Sequence, residues 1–63
     1  MRKNYNFIVQ LTNDGDPVPM EFIIQKKHMP RRQAFQEVNA ALARIDGATV
    51  TIIRVDEWED QWW

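Results

Sequence analysis

Residues that could do chemistry are concentrated at the end of the chain. Four carboxylates lie close together there: Asp56, Glu57, Glu59 and Asp60. All three tryptophans fall within the last six residues: Trp58, Trp62 and Trp63. Neighbouring carboxylates act as acid and base when their environments differ, and clustered ones can hold a divalent cation. This segment offers little to bury them, so a solvated acidic segment is the simpler interpretation.

The tryptophans of this segment favour binding over catalysis. Tryptophan is enriched among the residues that contribute most to protein interfaces, and a small domain has little interior for three indoles. Two interpretations stay open: the indoles pack back onto the domain, or they insert into a partner's groove while the carboxylates meet basic residues. We predict the second. The predicted partner-binding residues are Trp58, Trp62, Trp63, Glu57, Glu59 and Asp60.

A second cluster is basic and lies around residue 30. Its members are Lys26, Lys27, His28, Arg31 and Arg32. Cations near the start of a helix oppose the helix dipole, which favours anions there, so the cluster has a cost that a binding role would explain. A site for phosphate or for an acidic protein surface would use Lys26, Lys27, Arg31 and Arg32. The alternatives are a solvated face, or neutralisation by the protein's own acidic segment.

A nucleic-acid-binding module that uses these cations is an alternative function. The net charge of −1 speaks against a general nucleic-acid binder. No aromatic residue interrupts the run from Lys26 to Arg32, so stacking platforms for bases are also missing from it. Protein binding is therefore the preferred prediction.

Catalysis and cofactors are not expected. The chain has no cysteine, and its single histidine, His28, reads as an exposed loop residue without a companion for metal binding or proton transfer. Gly15 and Gly47 are the only glycines, too few for a phosphate-binding loop. We predict a protein that is not an enzyme and that needs no metal or cofactor.

The composition predicts one cytoplasmic domain that spans residues 1–63. No apolar run approaches the roughly 18 residues that a membrane span needs, and the N-terminus lacks the apolar stretch of a signal peptide. The lack of cysteine fits a reducing compartment. The core must come from packing alone, or be completed by a partner or a second copy.

Two stretches alternate between apolar and polar residues, as half-buried strands do. They are residues 5–11 and 18–25, and the turn-forming sequence Asn-Asp-Gly-Asp at 13–16 lies between them, so they should form an antiparallel hairpin. One side of the first strand would carry Tyr5, Phe7, Val9 and Leu11.

The period then changes to that of a helix. Apolar residues recur at steps of three and four, at Phe35, Val38, Leu42 and Ile45. Proline suits the first helical position and glycine suits the C-terminal end, so Pro30 and Gly47 delimit a helix near 30–45.

A third strand should follow at residues 48–55, which are rich in β-branched side chains. Two adjacent isoleucines, Ile52 and Ile53, break the alternation, which indicates either partial cover on both faces or a β-bulge. Residues 56–63 have no period, and we predict a tail or a short irregular extension there.

These elements predict an α+β fold of the type β-β-α-β. A right-handed crossover would place the third strand beside the first, so the antiparallel sheet would have the order 2-1-3 with the helix on one face. The other face would carry Ile8, Ile23 and Ile53, and nothing in the chain obviously covers it. An uncovered apolar face invites pairing with another chain, and a symmetric dimer is one form of this.

This size and order of elements resemble the small inhibitor proteins that bacteriophages encode, such as the T7 phage inhibitor of host RNA polymerase. The resemblance is one of architecture over residues 4–55 and shares no motif. Anti-CRISPR proteins have a similar size and few cysteines. The resemblance implies stoichiometric blocking of a bacterial host enzyme or defence complex, in the host cytoplasm. We predict this function, with a nucleic-acid-binding module or a structural, dimeric phage protein as alternatives.

Overall fold

A computed structural model describes residues 2–60 of the chain. These residues form three strands and one helix in the order that the sequence predicts. Strand β1 spans Lys3–Asn13, strand β2 spans Met20–Met29, helix α1 spans Arg31–Leu42 and strand β3 spans Ala48–Trp58. The sheet has the order β2-β1-β3 with β1 antiparallel to both neighbours, which confirms the predicted α+β fold.

Helix α1 covers one face of the sheet. The buried hydrophobic core consists of three residues of β1 and two of α1: Tyr5, Phe7, Val9, Ala34 and Val38. The rings of Phe7 and Phe35 meet edge to face, with centroids 5.0 Å apart. The core is therefore a single layer between the helix and the alternate residues of β1, as the two periodicities predicted.

The helix is shorter than predicted at both ends. Pro30 lies just before its first residue, with an extended ψ of 149°. At the other end, the amides of Arg44 and Ile45 bond to carbonyls three residues back, on Ala41 and Leu42. This tighter winding satisfies the last carbonyls of the helix without continuing it. Gly47 then takes a positive φ of 77°, just before the first residue of β3.

Strand β3 runs further than predicted. Asp56, Glu57 and Trp58 were expected to be irregular, but they pair with Asn6, Tyr5 and Asn4 of β1. The reason is the length of β1, which begins at Lys3. Its backbone amides and carbonyls offer hydrogen-bond partners to β3 beyond the apolar part of that strand. Trp62 and Trp63 lie outside the described residues.

The helix is much shorter than the strands beside it. Twelve helical residues span about 18 Å, whereas eleven residues of β1 span about 36 Å. Met20 pairs with Leu11, so its side chain is on the helix-facing side of the sheet. It is nevertheless 58% exposed, because the helix does not reach this end of the sheet. The result is a thin, elongated molecule of 49 × 20 × 11 Å, measured over Cα atoms.

Candidate functional site

The face of the sheet that points away from the helix is the main candidate site. We call it the open face and define it by five residues that line one shallow groove: Ile8, Glu21, Ile23, Ile53 and Arg54. Ile8 of the central strand pairs with Ile23 on one side and with Arg54 on the other. The groove has a volume of about 530 Å³.

Two isoleucines of the open face are unusually exposed for apolar residues. Ile23 is 62% exposed and Ile53 is 48% exposed, whereas Phe7 and Val9 on the helix side are fully buried. Single exposed isoleucines are common on protein surfaces, but exposed isoleucines that line the same groove are typical of a surface that meets another molecule.

A β-bulge gives Ile53 its position. Ile8 pairs with Arg54 but the next residue, Val9, pairs with Ile52, so β3 has one extra residue at this point. The bulge lets Ile52 pack against the helix-side core while its neighbour Ile53 remains exposed in the groove. Of the two structures that the adjacent isoleucines allowed, the bulge is the one that forms.

Polar residues surround the apolar centre of the open face. The amide of Gln25 donates a hydrogen bond of 3.1 Å to the side-chain oxygen of Asn6. The guanidinium of Arg54 donates to a carboxylate oxygen of Asp56 at 3.2 Å. An apolar centre with a polar rim is the usual arrangement at protein interfaces.

Trp58 lies at one end of the same side of the sheet. It pairs with Asn4, two residues before Asn6, and it follows Arg54 and Asp56 at the two-residue period of a strand. It is half-buried and lies outside the group that packs on the helix-side core. The predicted partner-binding tryptophan is thus at the edge of the open face rather than in a separate tail.

The carboxylates of the C-terminal segment bind the protein's own basic residues. Glu57 lies 3.4 Å from the Arg31 guanidinium and 3.8 Å from the Lys3 ammonium. Asp60 lies 3.2 Å from the His28 ring. Glu59 is exposed. Glu57 and Asp60 were predicted to meet a partner, but they join this segment to the start of β1, the end of β2 and the start of α1. The acidic segment thus neutralises part of the basic cluster.

Two of the four predicted anion-binding cations have carboxylate partners. Arg31 meets Glu57, and Lys26 lies 3.1 Å from Glu37. Hydrogen bonds from Gln33 and then from Lys26 hold the pKa of the Glu37 carboxyl below its ordinary value of 4.5. Burial opposes this lowering of the pKa, and the Lys26 charge adds the smallest contribution to it. Within residues 2–60, Lys27 and Arg32 form no ion pair and are exposed.

Asn4 is an important polar residue that the sequence did not reveal. Asn4 is only 2% exposed, and its side chain accepts a 3.0 Å bond from the His28 amide and donates a 2.8 Å bond to Asp60. His28 has a positive φ of 56° in a second bulge, where β2 gains a residue opposite Asn4. The Arg2 guanidinium bonds to the His28 carbonyl at 2.9 Å. No local pattern marks Asn4, because its partners are distant in sequence.

The geometry adds two findings about other kinds of site. Among residues 2–60, no three His, Asp or Glu side chains are placed to hold a metal ion together. The helix of the described region is neither long nor apolar enough to cross a membrane.

Comparisons with protein-family models, with curated proteins and with solved structures found no match to this chain.

Proposed function

We propose that this protein is an interaction domain that binds another protein chain through the open face. The observation that carries the proposal is the exposure of Ile23 and Ile53 in one groove, on the sheet face opposite the helix. Burial of an isoleucine side chain contributes about 1.5–3 kcal/mol, so a partner that covers both gains a substantial part of a binding free energy.

The shape of the molecule supports this proposal. Strand β1 is about 36 Å long, so a partner can contact the open face along most of the length of the molecule. Trp58 at its end adds an indole, the side chain that most often dominates interface energetics.

Stoichiometric binding needs no chemistry from the protein, which agrees with the sequence-based expectation that it is not an enzyme. The phage inhibitors that the architecture resembles suggest how such a domain is used: it blocks a bacterial enzyme or defence complex by occupying its surface. Nucleic-acid binding is less favoured, because Lys26 and Arg31 are already engaged by carboxylates.

Variants of the open face test the proposal. Tagged protein is offered a bacterial lysate and a second copy with a different tag, and captured chains are identified. Ile23→Glu should weaken capture by roughly 30-fold, equivalent to about 2 kcal/mol at an interface centre. Gln36→Glu, a change at an exposed position on the helix, is the control and should leave capture unchanged.

A second comparison separates the open face from the C-terminal segment. A chain that ends at Asp60 keeps every described contact but lacks Trp62 and Trp63. If capture is lost in this chain but survives in Ile23→Glu and Ile53→Glu, the terminal tryptophans are the contact and the open face is not.

A further inference from the structure

The two edges of the sheet differ in how well they are protected. Strands β2 and β3 are the edge strands, so the outer side of each carries backbone amides and carbonyls that no other strand among residues 2–60 pairs with. Natural edge strands avoid unwanted pairing through proline, lysine and β-bulges, and β2 has all three. They are Pro19 and Pro30 on either side of the strand, Lys26 and Lys27 within it, and the bulge at His28.

The first half of β3 has none of these protections. Residues 48–52 read Ala-Thr-Val-Thr-Ile and pair in regular register with residues 9–13 of β1. The bulge at Ile53 ends this regular stretch. Within the described part of the chain, no backbone hydrogen bond joins the outer side of this stretch to another segment. We call residues 48–52 the free edge.

An apolar surface lies beside the free edge, on the helix-facing side of the sheet. Val50 and Ile52 are only half-buried there, whereas Val9, which pairs with Ile52, is fully buried. The cause is the position of helix α1, which packs mainly on β1 and β2. Leu11, the ladder partner of Val50, is half-buried as well. A strand added at this edge would therefore meet backbone partners and an apolar surface at the same place.

The free edge is remote from the residues that follow Asp60. The Asp60 carboxylate is bonded to Asn4, at the other end of the sheet. Along β1, Asn4 is seven residues, or about 24 Å, from Leu11, which pairs with Val50. Residues 61–63 span at most about 10 Å, so they do not reach this edge.

We propose that the free edge binds an extended segment of another protein, which adds a fourth strand to the sheet beside β3. Only another extended backbone matches the spacing of the outward amides and carbonyls, so the chemistry of the edge selects this kind of partner. Apolar side chains of the segment would alternate with polar ones, packing on Val50 and Ile52 on the helix-facing side. The free edge is separate from the groove of the open face, so this inference goes beyond the proposed function.

A displayed library of random peptides, selected on the immobilised full chain, is the probe. Selected peptides should alternate between apolar and polar residues. In the free chain, the amides of residues 48–52 that point away from β1 should exchange rapidly with solvent. A bound peptide should slow their exchange at least about tenfold, measured by NMR, because each then donates to the added strand.

Two variants of β3 exchange the same groups on opposite sides of the strand. Val50→Thr keeps the shape of the side chain but puts a hydroxyl on the apolar surface, and it should weaken peptide binding about tenfold. Thr51→Val, at an exposed position on the other side, is the matched control and should leave binding unchanged. Circular dichroism checks the fold, and if Val50→Thr does not fold, the exchange pattern of the wild-type chain still decides.

The outcomes separate this inference from the proposed function. A library without binders, or a peptide that slows exchange on β2 instead of residues 48–52, overturns the free edge as a binding site. Slowing of the same amides with rising protein concentration and no peptide would assign the edge to a second copy and overturn the assignment to another protein. Peptide binding that Ile23→Glu abolishes and Val50→Thr spares supports the open face and overturns the free edge. The opposite result supports the free edge.

Discussion

The two faces of this sheet are built from the same three strands and meet different surroundings. Phe7 and Ile8 are neighbours in the chain, yet Phe7 is fully buried under the helix and Ile8 lines the groove of the open face. Successive side chains of a strand point to opposite faces, so this division follows from the pleat. The helix-side face holds the buried core, and the other face leaves Ile23 and Ile53 exposed.

The contrast between the faces also appears in their polar contacts. On the helix side and at the adjoining end of the sheet, carboxylates meet cations that are distant in sequence, as Glu37 meets Lys26 and Glu57 meets Arg31. On the open face, the ion pair that Arg54 forms within residues 2–60 is with Asp56, two residues away, and both side chains are exposed. The ion pairs near the helix therefore join distant segments, whereas the ion pair of the open face is local.

The largest expected effect comes from the helix-side core. Phe7→Ala should destabilise the domain by about 3–5 kcal/mol, because it removes a fully buried ring and leaves a cavity against Phe35. Urea unfolding measures this loss, and Phe7→Leu provides a milder variant if the alanine protein does not fold. Ile8→Ala, one residue along, should cost less than half as much. Equal losses at both positions would contradict the division into two faces.

The buried amide at the end of the sheet should give the next largest effect. Asn4→Ala leaves the His28 amide and the Asp60 carboxylate without their partner, at a cost of about 1–3 kcal/mol. Hydrogen exchange of the His28 amide should accelerate in the variant. Asn6→Ala, which removes an exposed bond to Gln25 on the open face, is the matched control and should cost well under half as much. A similar cost for both would show that the burial of Asn4 has no energetic consequence.

A change on the open face should have little effect on the isolated chain. Ile23→Thr keeps a β-branched side chain at a position that is 62% exposed, so the free energy of unfolding should change by no more than about 0.5 kcal/mol. The measurement is made at a dilution at which the chain is monomeric. A loss of several kcal/mol there would mean that this face is already covered within one copy.

The smallest expected effect is on pH dependence. The pKa of Glu37 is lowered in the folded state, mainly by the hydrogen bond from Gln33 and then by that from Lys26. Its stabilising contribution is therefore complete above its ordinary pKa of 4.5 and is lost as the pH falls through the lowered folded-state pKa. Glu37→Gln should destabilise the domain at neutral pH, with a difference from the wild type that shrinks over this acidic range.

Urea unfolding at a series of pH values tests this prediction. Gln33→Ala supplies the second variant, because the loss of its donor should raise the pKa of the Glu37 carboxyl in an NMR titration. A pH dependence of Glu37→Gln that runs parallel to that of the wild type below pH 4.5 would show that the carboxylate contributes nothing to folding.

The local sequence pattern was sufficient to predict the three strands, the helix and the order of the strands in the sheet. Alternation along residues 5–11 and the three-four spacing from Phe35 to Leu42 each identify a buried side, and both sides meet in the observed core. The pattern could not locate the ends of the elements. Strand β3 continues through Asp56, Glu57 and Trp58 because β1 offers backbone partners there, and helix α1 stops at Leu42 because its last carbonyls are satisfied by a tighter turn.

The candidate site divides in the same way. The apolar residues of the open face, Ile8, Ile23 and Ile53, could be named from the sequence because period two places them opposite the core. Asn4 could not, because its partners His28 and Asp60 are 24 and 56 residues away. The pairing of Glu57 with Arg31 could not be predicted either. The sequence shows that opposite charges exist but not which of them are neighbours in the fold.

The sequence by itself determined which side chains share a face, because periodicity is a property of the local backbone that any chain segment carries with it. Only the tertiary structure decided which charges are already paired, where the ladder ends and how far the helix covers the sheet. Those outcomes depend on distances between segments that are far apart in the chain, and hydrogen bonds and ion pairs are effective only over a few ångströms.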